Sequence, residues 1–91
     1  MIKLIPTRIE NGRSIDETPI EVSYIRLQKC FKSFQYKQGS QIMSNFKIFL
    51  EPDTDIKESY KVGHNGNVYE ILSLYAAKDR NDNLHHYEVI I

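Results

Sequence analysis

The chain has 91 residues, of which 41% are hydrophobic and 26% are charged, and its twelve basic and twelve acidic side chains give zero net charge. This composition is that of one small globular domain and excludes a disordered chain. No apolar run approaches the roughly 18 residues that a membrane-spanning helix requires. A single cysteine excludes an internal disulfide, which fits assembly in a reducing cytoplasm.

The charges are unevenly divided along the chain. Residues 22–50 contain no acidic side chain and five basic ones, whereas residues 51–91 contain eight acids against four bases. A division of this kind suits either head-to-tail association or a surface that faces a polyanion. The alternative is that strands from both halves interleave in one sheet, so that the asymmetry cancels in space.

Residues 1–19 are predicted to form an N-terminal arm and loop, ahead of a barrel over residues 20–91. The apolar run at residues 2–9 is interrupted by Pro6, which is typical of an edge strand or an arm. Asn11 and Gly12 predict a turn.

Alternating apolar and polar residues predict strands over residues 20–28, 30–36 and 42–50. The third strand has the clearest alternation. Between the last two lies a loop without apolar residues, of the kind that carries function. It consists of Lys37, Gln38, Gly39, Ser40 and Gln41. One face of the third strand is predicted to carry Ile42, Ser44, Phe46, Ile48 and Leu50.

The C-terminal third is predicted to contain two hairpins. Asn65-Gly66 is the strongest dipeptide signal for a two-residue hairpin turn, because both positions of that turn need positive φ. Residues 67–78 fit a strand and an amphipathic helix about equally by periodicity. The turn before them and the polar segment 79–83 after them favour the strand. Residues 84–91 alternate again and form the last strand.

The fold class predicted from this pattern is all-β. Five or six short strands with polar turns and no required helix are typical of a small barrel or sandwich. We predict a small antiparallel β-barrel of about five to six strands with a flexible polar loop, formed as one domain over residues 1–91.

The histidine pair at residues 85 and 86 invites a metal or catalytic interpretation. Adjacent residues on a strand point to opposite faces, so the two imidazoles are not expected to bind one metal together. No cysteine pair or helical histidine pair completes a zinc site, and Cys30 lies in an alternating apolar segment without a partner base. We therefore predict no metal, no cofactor and no catalytic residues, and interpret the chain as a non-enzyme.

The basic segment has two interpretations. Four cations are interleaved with four aromatic rings, as in barrels that bind single-stranded nucleic acid: Arg26, Lys29, Lys32 and Lys37 with Tyr24, Phe31, Phe34 and Tyr36. The other interpretation makes the rings part of the core and leaves the cations in solvent. Zero net charge argues against a dedicated nucleic-acid binder.

Three C-terminal motifs carry a resemblance to a known family. In order, they are Tyr60-Lys61-Val62-Gly63, then Asn65-Gly66-Asn67-Val68-Tyr69-Glu70-Ile71, then Leu84-His85-His86-Tyr87-Glu88-Val89-Ile90-Ile91. They resemble the "V-G-D" turn, the "N-G-x-x-Y-x-V" hairpin and the "L-H-H-Y-E-V" ending of the minor capsid and head-closure proteins of tailed phages, also called stoppers or head–tail connector components. Residues 20–27 and 47–53 are similar to two earlier strands of that family. The family usually has a short strand between the turn and the hairpin, whereas this chain passes directly from Gly63 through His64 to Asn65.

This resemblance implies a barrel that assembles as a homo-oligomeric ring under the portal. Such a ring closes the filled capsid and joins it to the tail. The implied partners are portal or adaptor rings, tail proteins and, without sequence specificity, the packaged DNA. The implied location is the head–tail junction of the virion, after assembly in the bacterial cytoplasm. By position, Lys37 to Gln41 match the family's channel loop, and the candidate DNA-facing cations are Arg26, Lys29 and Lys32.

Overall fold

The computed structural model describes residues 1–35 and 41–91, and that part of the chain consists of short β-strands and turns without a helix. The all-β prediction is therefore confirmed. The strands are β1 (Ile2–Ile5), β2 (Thr7–Glu10), β3 (Arg13–Asp16), β4 (Ile20–Val22), β5 (Arg26–Lys29), β6 (Ser33–Gln35), β7 (Gln41–Met43), β8 (Phe46–Leu50), β9 (Lys61–His64), β10 (Asn67–Glu70), β11 (Ser73–Lys78) and β12 (Leu84–Ile90).

The strands form two four-stranded sheets and two separate hairpins, and every pairing is antiparallel. The first sheet has the order β10-β9-β1-β4, and the second sheet has the order β11-β12-β8-β5. The hairpins are β2–β3 and β6–β7. Among the described strands, these pairings do not close either sheet into a barrel.

The core lies between the two four-stranded sheets. The first sheet contributes Ile2, Leu4 and Val62 from alternate positions of β1 and β9. Facing them, the second sheet contributes Ile48, Leu50 and Val89 from β8 and β12. Because alternate residues of a strand point to opposite faces, each sheet has one face in this core and one outer face. Ile56 and Ile91 complete the buried cluster.

Residues 2–5 do not form the edge strand or arm expected from the sequence. Strand β1 is an inner strand, paired with β4 on one side and β9 on the other. The physical reason is the burial of Ile2 and Leu4, which are 1% and 2% exposed. Pro6 lies just after the strand, where its missing N–H leaves the β1 ladder intact.

The described residues contain about twice as many strands as predicted, because residues 1–19 contribute three strands and three long alternating segments are each divided. Residues 20–28 become β4 and β5, and residues 67–78 become β10 and β11; each break carries the chain from the first sheet to the second. The prediction of strand rather than helix for the latter segment is confirmed.

The third division separates β7 from β8 at Ser44. This buried side chain accepts a hydrogen bond from the Lys32 backbone N–H at 2.8 Å and donates its hydroxyl to the Cys30 carbonyl. Its own N–H donates to the Lys32 carbonyl at 2.8 Å. Alternation predicted the inward position of Ser44, whereas its bonds across to residues 30–32 interrupt the ladder there.

The predicted turns are confirmed at two sites by positive φ. Asn65 and Gly66 have φ of 49° and 79° and connect β9 to β10 directly. Asn11 and Gly12, with φ of 51° and 76°, connect β2 to β3 in the same way. Residues 79–83 form the predicted hairpin loop between β11 and β12.

Candidate functional site on the outer face of the second sheet

The outer face of the second sheet gathers charged and aromatic side chains from three strands. Phe49 pairs across the sheet with Arg26 on one side and Glu88 on the other. Lys47 and His86 lie two residues from Phe49 and Glu88 respectively, and therefore share their face. We call these five residues, together with His85, the outer-face cluster.

Glu88 is the electrostatic centre of the outer-face cluster. The Lys47 ammonium donates to Glu88 Oε1 at 2.8 Å, and His86 Nε2 lies 3.0 Å from Oε2. The Lys47, His86 and Glu88 side chains are only 23%, 20% and 21% exposed. The hydrogen bond from Lys47, followed by that from His86, lowers the pKa of Glu88 against the opposing effect of burial. Glu88 is therefore a carboxylate with both oxygens engaged.

A β-bulge at the start of β12 places the two histidines together. Ala77 pairs with His86 while Lys78 pairs with Leu84, so His85 is an extra residue in the ladder. Its Nδ1 lies 2.8 Å from Nδ1 of His86, with the rings edge to face at a centroid separation of 5.1 Å. The expectation that these side chains point to opposite faces is wrong, because the bulge interrupts the alternation on which it rested.

The carboxylate determines which ring nitrogen carries the proton in His86. Glu88 is ionised and only accepts hydrogen bonds, so Nε2 of His86 is the donor. In a neutral imidazole the other nitrogen then carries a lone pair, and Nδ1 of His86 accepts from Nδ1–H of the exposed His85. A chain of polar contacts thus runs from Lys47 through Glu88 and His86 to His85.

The Phe49 ring lies beside the two cations of this face and beside the His86 ring. Lys47 Nζ is 5.4 Å and Arg26 Cζ is 5.9 Å from the centre of its ring. The His86 ring is 5.6 Å away at an interplanar angle of 45°. Cation–aromatic contacts within about 6 Å are attractive, so Phe49 helps to hold the charged groups on this face.

The predicted DNA-facing cations do not form one patch. Arg26, Lys29 and Lys32 are all exposed, and none takes part in a salt bridge with another described residue. Arg26 belongs to the outer-face cluster. Lys29 is three residues further along β5, at a position that points to the opposite face, and Lys32 lies beyond the end of that strand.

The candidate channel loop falls almost entirely outside the described residues. Lys37, Gln38, Gly39 and Ser40 lie between the two described ranges. Gln41 is the first residue of β7, and its side-chain carbonyl accepts a hydrogen bond from the Ser33 hydroxyl at 3.3 Å.

The remaining reactive side chains lie apart from the outer-face cluster. Cys30 is a half-buried free thiol. His64 is also half-buried, with its ring edge-on to Phe46 at a centroid distance of 5.1 Å. Its Nδ1 is buried without a hydrogen-bond partner among the described residues. Within residues 1–35 and 41–91, no three or more histidine, cysteine or carboxylate groups converge as metal ligands.

Sequence reasoning missed Lys47, Phe49 and Glu88 as members of a site. One signal was available, since His86 and Glu88 are two residues apart on a predicted strand and so share a face. The register that brings β8 against β12 was not readable from the sequence, nor was the bulge at His85.

Among the residues that the structure describes, there is no helix of the length and apolarity needed to cross a bilayer. The chain matches no family model, no curated protein and no solved structure.

Proposed function

We propose that this chain is a structural protein of a tailed phage or prophage, which forms a ring in the head–tail connector. The ring would close the filled capsid and join it to the tail. The observation that carries the proposal is the ordered set of three C-terminal motifs, which end in residues 84–91. Those motifs fall on β9–β10 and on β12, which are hairpin and inner-strand elements of the two sheets.

The barrel implied by the resemblance is part of this proposal. Two four-stranded sheets share one core, and the chain passes between them after β4 and after β10. Such crossings between two sheets on one core are compatible with an open, flattened barrel whose edge strands lack a second partner among the described strands. The support is the shared core, which leaves the edge strands as the surfaces available for assembly.

Strand β11 offers the contact that a ring of this kind needs. It is six residues long and pairs only with β12 among the described strands. Ile91 exchanges both backbone hydrogen bonds with Phe46, so alternation along β12 turns the backbone groups of Glu88 and Ile90 towards β11. Their partners in β11 are Tyr75 and Ser73, so the backbone groups of Leu74 and Ala76 face the free edge. Tyr75 is 60% exposed, and Lys78 is the only charged residue of the strand. Long edge strands with few charges readily pair with another chain.

In this proposal, the segment that joins β6 and β7 faces the channel. Gln35 pairs with Gln41, so the two ends of the segment are adjacent. Its proposed contact with the packaged DNA would be made by Lys37, because a cation is the group that a phosphate backbone attracts.

Association with portal rings tests the proposed function. The neighbouring reading frames identify the matching portal and adaptor proteins, which are purified and mixed with this chain. We expect the chain to co-sediment with those rings and to appear by electron microscopy as an added ring density. A chain that stays monomeric at high concentration and binds neither ring would overturn the proposal.

Variants at Ala76 test the proposed ring contact separately. Ala76→Pro removes an outward-facing backbone N–H without removing a bond to β12, since proline is tolerated at such edge positions. Ala76→Ser is the matched control, because it changes the same exposed side chain but keeps the N–H. We expect the proline variant to lose ring assembly on the portal and the serine variant to retain it. Equal assembly by both would place the contact elsewhere.

A second candidate function is the binding of single-stranded nucleic acid. It is favoured by the placement of Arg26 and Lys47 against the Phe49 ring. Against it, Glu88 already neutralises Lys47, and Lys29 points to the other face. Titration of a labelled oligodeoxynucleotide at low salt distinguishes the two functions. Sub-micromolar binding with a steep salt dependence supports this candidate, and absence of binding removes it.

A further inference from the structure

The two Nδ1 atoms of His85 and His86 converge on one point outside β12. Their separation of 2.8 Å leaves room for one proton between them. Two imidazoles whose Nδ1 atoms are this close offer two nitrogen ligands to a single cation. His85 is exposed and His86 is half-buried, so the point between them is open to solvent on one side.

The second relevant feature is the group behind His86. Its Nε2 donates to Glu88, and Glu88 is fixed in turn by Lys47 at 2.8 Å. Metal-binding histidines commonly donate their other ring N–H to a carboxylate, which fixes the tautomer and makes the ligand nitrogen more basic. Glu88 stands in this relation to His86 Nδ1. The pair is therefore more than two neighbouring surface histidines, because one of them is already oriented with its lone pair outward.

We propose that His85 and His86, through their Nδ1 atoms, form a binding site for a divalent transition-metal ion of the class that prefers imidazole, namely Zn²⁺, Ni²⁺ or Cu²⁺. Glu88 acts as the orienting group and does not touch the ion. Water fills the remaining coordination positions, because the described residues provide only these two converging ligands. This site does not depend on the proposed connector function.

The geometry requires a small adjustment. At zinc–nitrogen distances of about 2.0–2.1 Å in a tetrahedral site, two ligand nitrogens lie about 3.3 Å apart. The 2.8 Å separation must therefore widen by about half an ångström. The exposed side chain of His85 can make this movement while His86 stays fixed by Glu88. Because only two protein ligands are present, we expect weaker binding than at a closed four-ligand zinc site.

Calorimetric titration of the purified, metal-free chain with ZnCl₂, NiCl₂ and CuCl₂ tests the proposal. We expect one ion to bind per chain, and His85→Ala or His86→Ala to abolish that binding. Loss of an outer-shell partner typically weakens metal binding by about 10-fold to 100-fold, so Glu88→Gln should weaken it within that range. His64→Ala is the matched control, because it removes a histidine that lies elsewhere, against Phe46.

A second measurement on the unmodified chain avoids the question of whether a variant folds. Nitrogen NMR spectra of the imidazoles are recorded with and without Zn²⁺. We expect the Nδ1 signals of His85 and His86 to shift together while those of His64 stay in place. Unchanged affinity in both single variants, or a zinc-induced shift confined to His64, would overturn the proposal.

Discussion

The two C-terminal hairpins join their antiparallel strands in different ways. The β9–β10 hairpin has a two-residue turn and an unbroken register, so that each residue from Lys61 to His64 has its partner in β10. The β11–β12 hairpin has a five-residue loop over residues 79–83 and a bulge at His85. The regular hairpin contributes no residue to the outer-face cluster, whereas the irregular one contributes His85, His86 and Glu88. Departures from strand regularity are commonly found next to functional groups, and here the departure assembles the candidate site.

Core substitutions should affect the two hairpins equally and give the largest effects. Val62 in β9 and Val89 in β12 are both fully buried in the shared core. Val62→Ala and Val89→Ala each remove two buried methyl groups and leave a cavity, so each should lower the free energy of unfolding by about 2–3 kcal/mol. Urea unfolding, monitored by circular dichroism, measures this change in the free energy of unfolding. Unequal losses would show that one hairpin is only loosely attached to the core.

The turn of the regular hairpin should depend on Gly66. Its φ of 79° lies in the left-handed region, which costs residues with a side chain about 1–2 kcal/mol. Gly66→Ala should therefore lower the free energy of unfolding by about that amount. Gly63→Ala is the matched control in the same hairpin, because a Cβ there meets the Lys3 Cβ at an ordinary 3.5 Å. Thermal unfolding should separate the two variants, and identical midpoints would contradict the assignment of strain to Gly66.

The loop of the bulged hairpin should depend on Asp79 instead. Its carboxylate accepts hydrogen bonds from the backbone N–H groups of Asn81 and Asn83 at 2.9 and 3.0 Å. Asp79→Ala removes both exposed bonds and should lower the free energy of unfolding by about 0.5–1.5 kcal/mol. Asp79→Asn keeps an acceptor oxygen and should retain most of the stability. Chemical unfolding of both variants measures the difference. Equal stability of the Asp79→Ala and Asp79→Asn variants would contradict this role of Asp79.

The smallest expected effect is a pH dependence that belongs to the bulged hairpin alone. The pKa of Glu88 lies below its ordinary value, so its ionisation stabilises the folded chain above the unfolded pKa of about 4.3. That contribution is lost as the pH falls through the lower folded pKa. We expect the unfolding free energy of Glu88→Gln, in the presence of a chelator, to fall less steeply below about pH 5 than that of the unmodified chain. Glu58→Gln, which removes an exposed carboxylate, should follow the unmodified chain.

The same contrast explains what the sequence could predict. Asn65-Gly66 determines its turn locally, because few other residues accept two successive positive φ values. Alternation predicted which side chains of β8 point inward, and Ile48 and Leu50 are fully buried as expected. The breaks at Ser44 and at residues 71–72 depend on bonds to distant segments, and they could not be read from periodicity. The outer-face cluster required the register of β12 against β8 and a bulge, which are both properties of strand pairing.

The extra residue at His85 also determines where the chain tolerates a change of length. Upstream of it, Leu84 pairs with Lys78, and downstream Tyr87 to Ile90 keep their partners in β8 and β11. Deleting His85 would restore an uninterrupted ladder and leave every inward side chain of β12 on its side of the sheet. Deleting one residue after it would carry Val89 to the outer face, because a shift of one residue reverses a strand. A family of related chains should therefore vary in length at or before this position and keep the spacing from His86 onward constant.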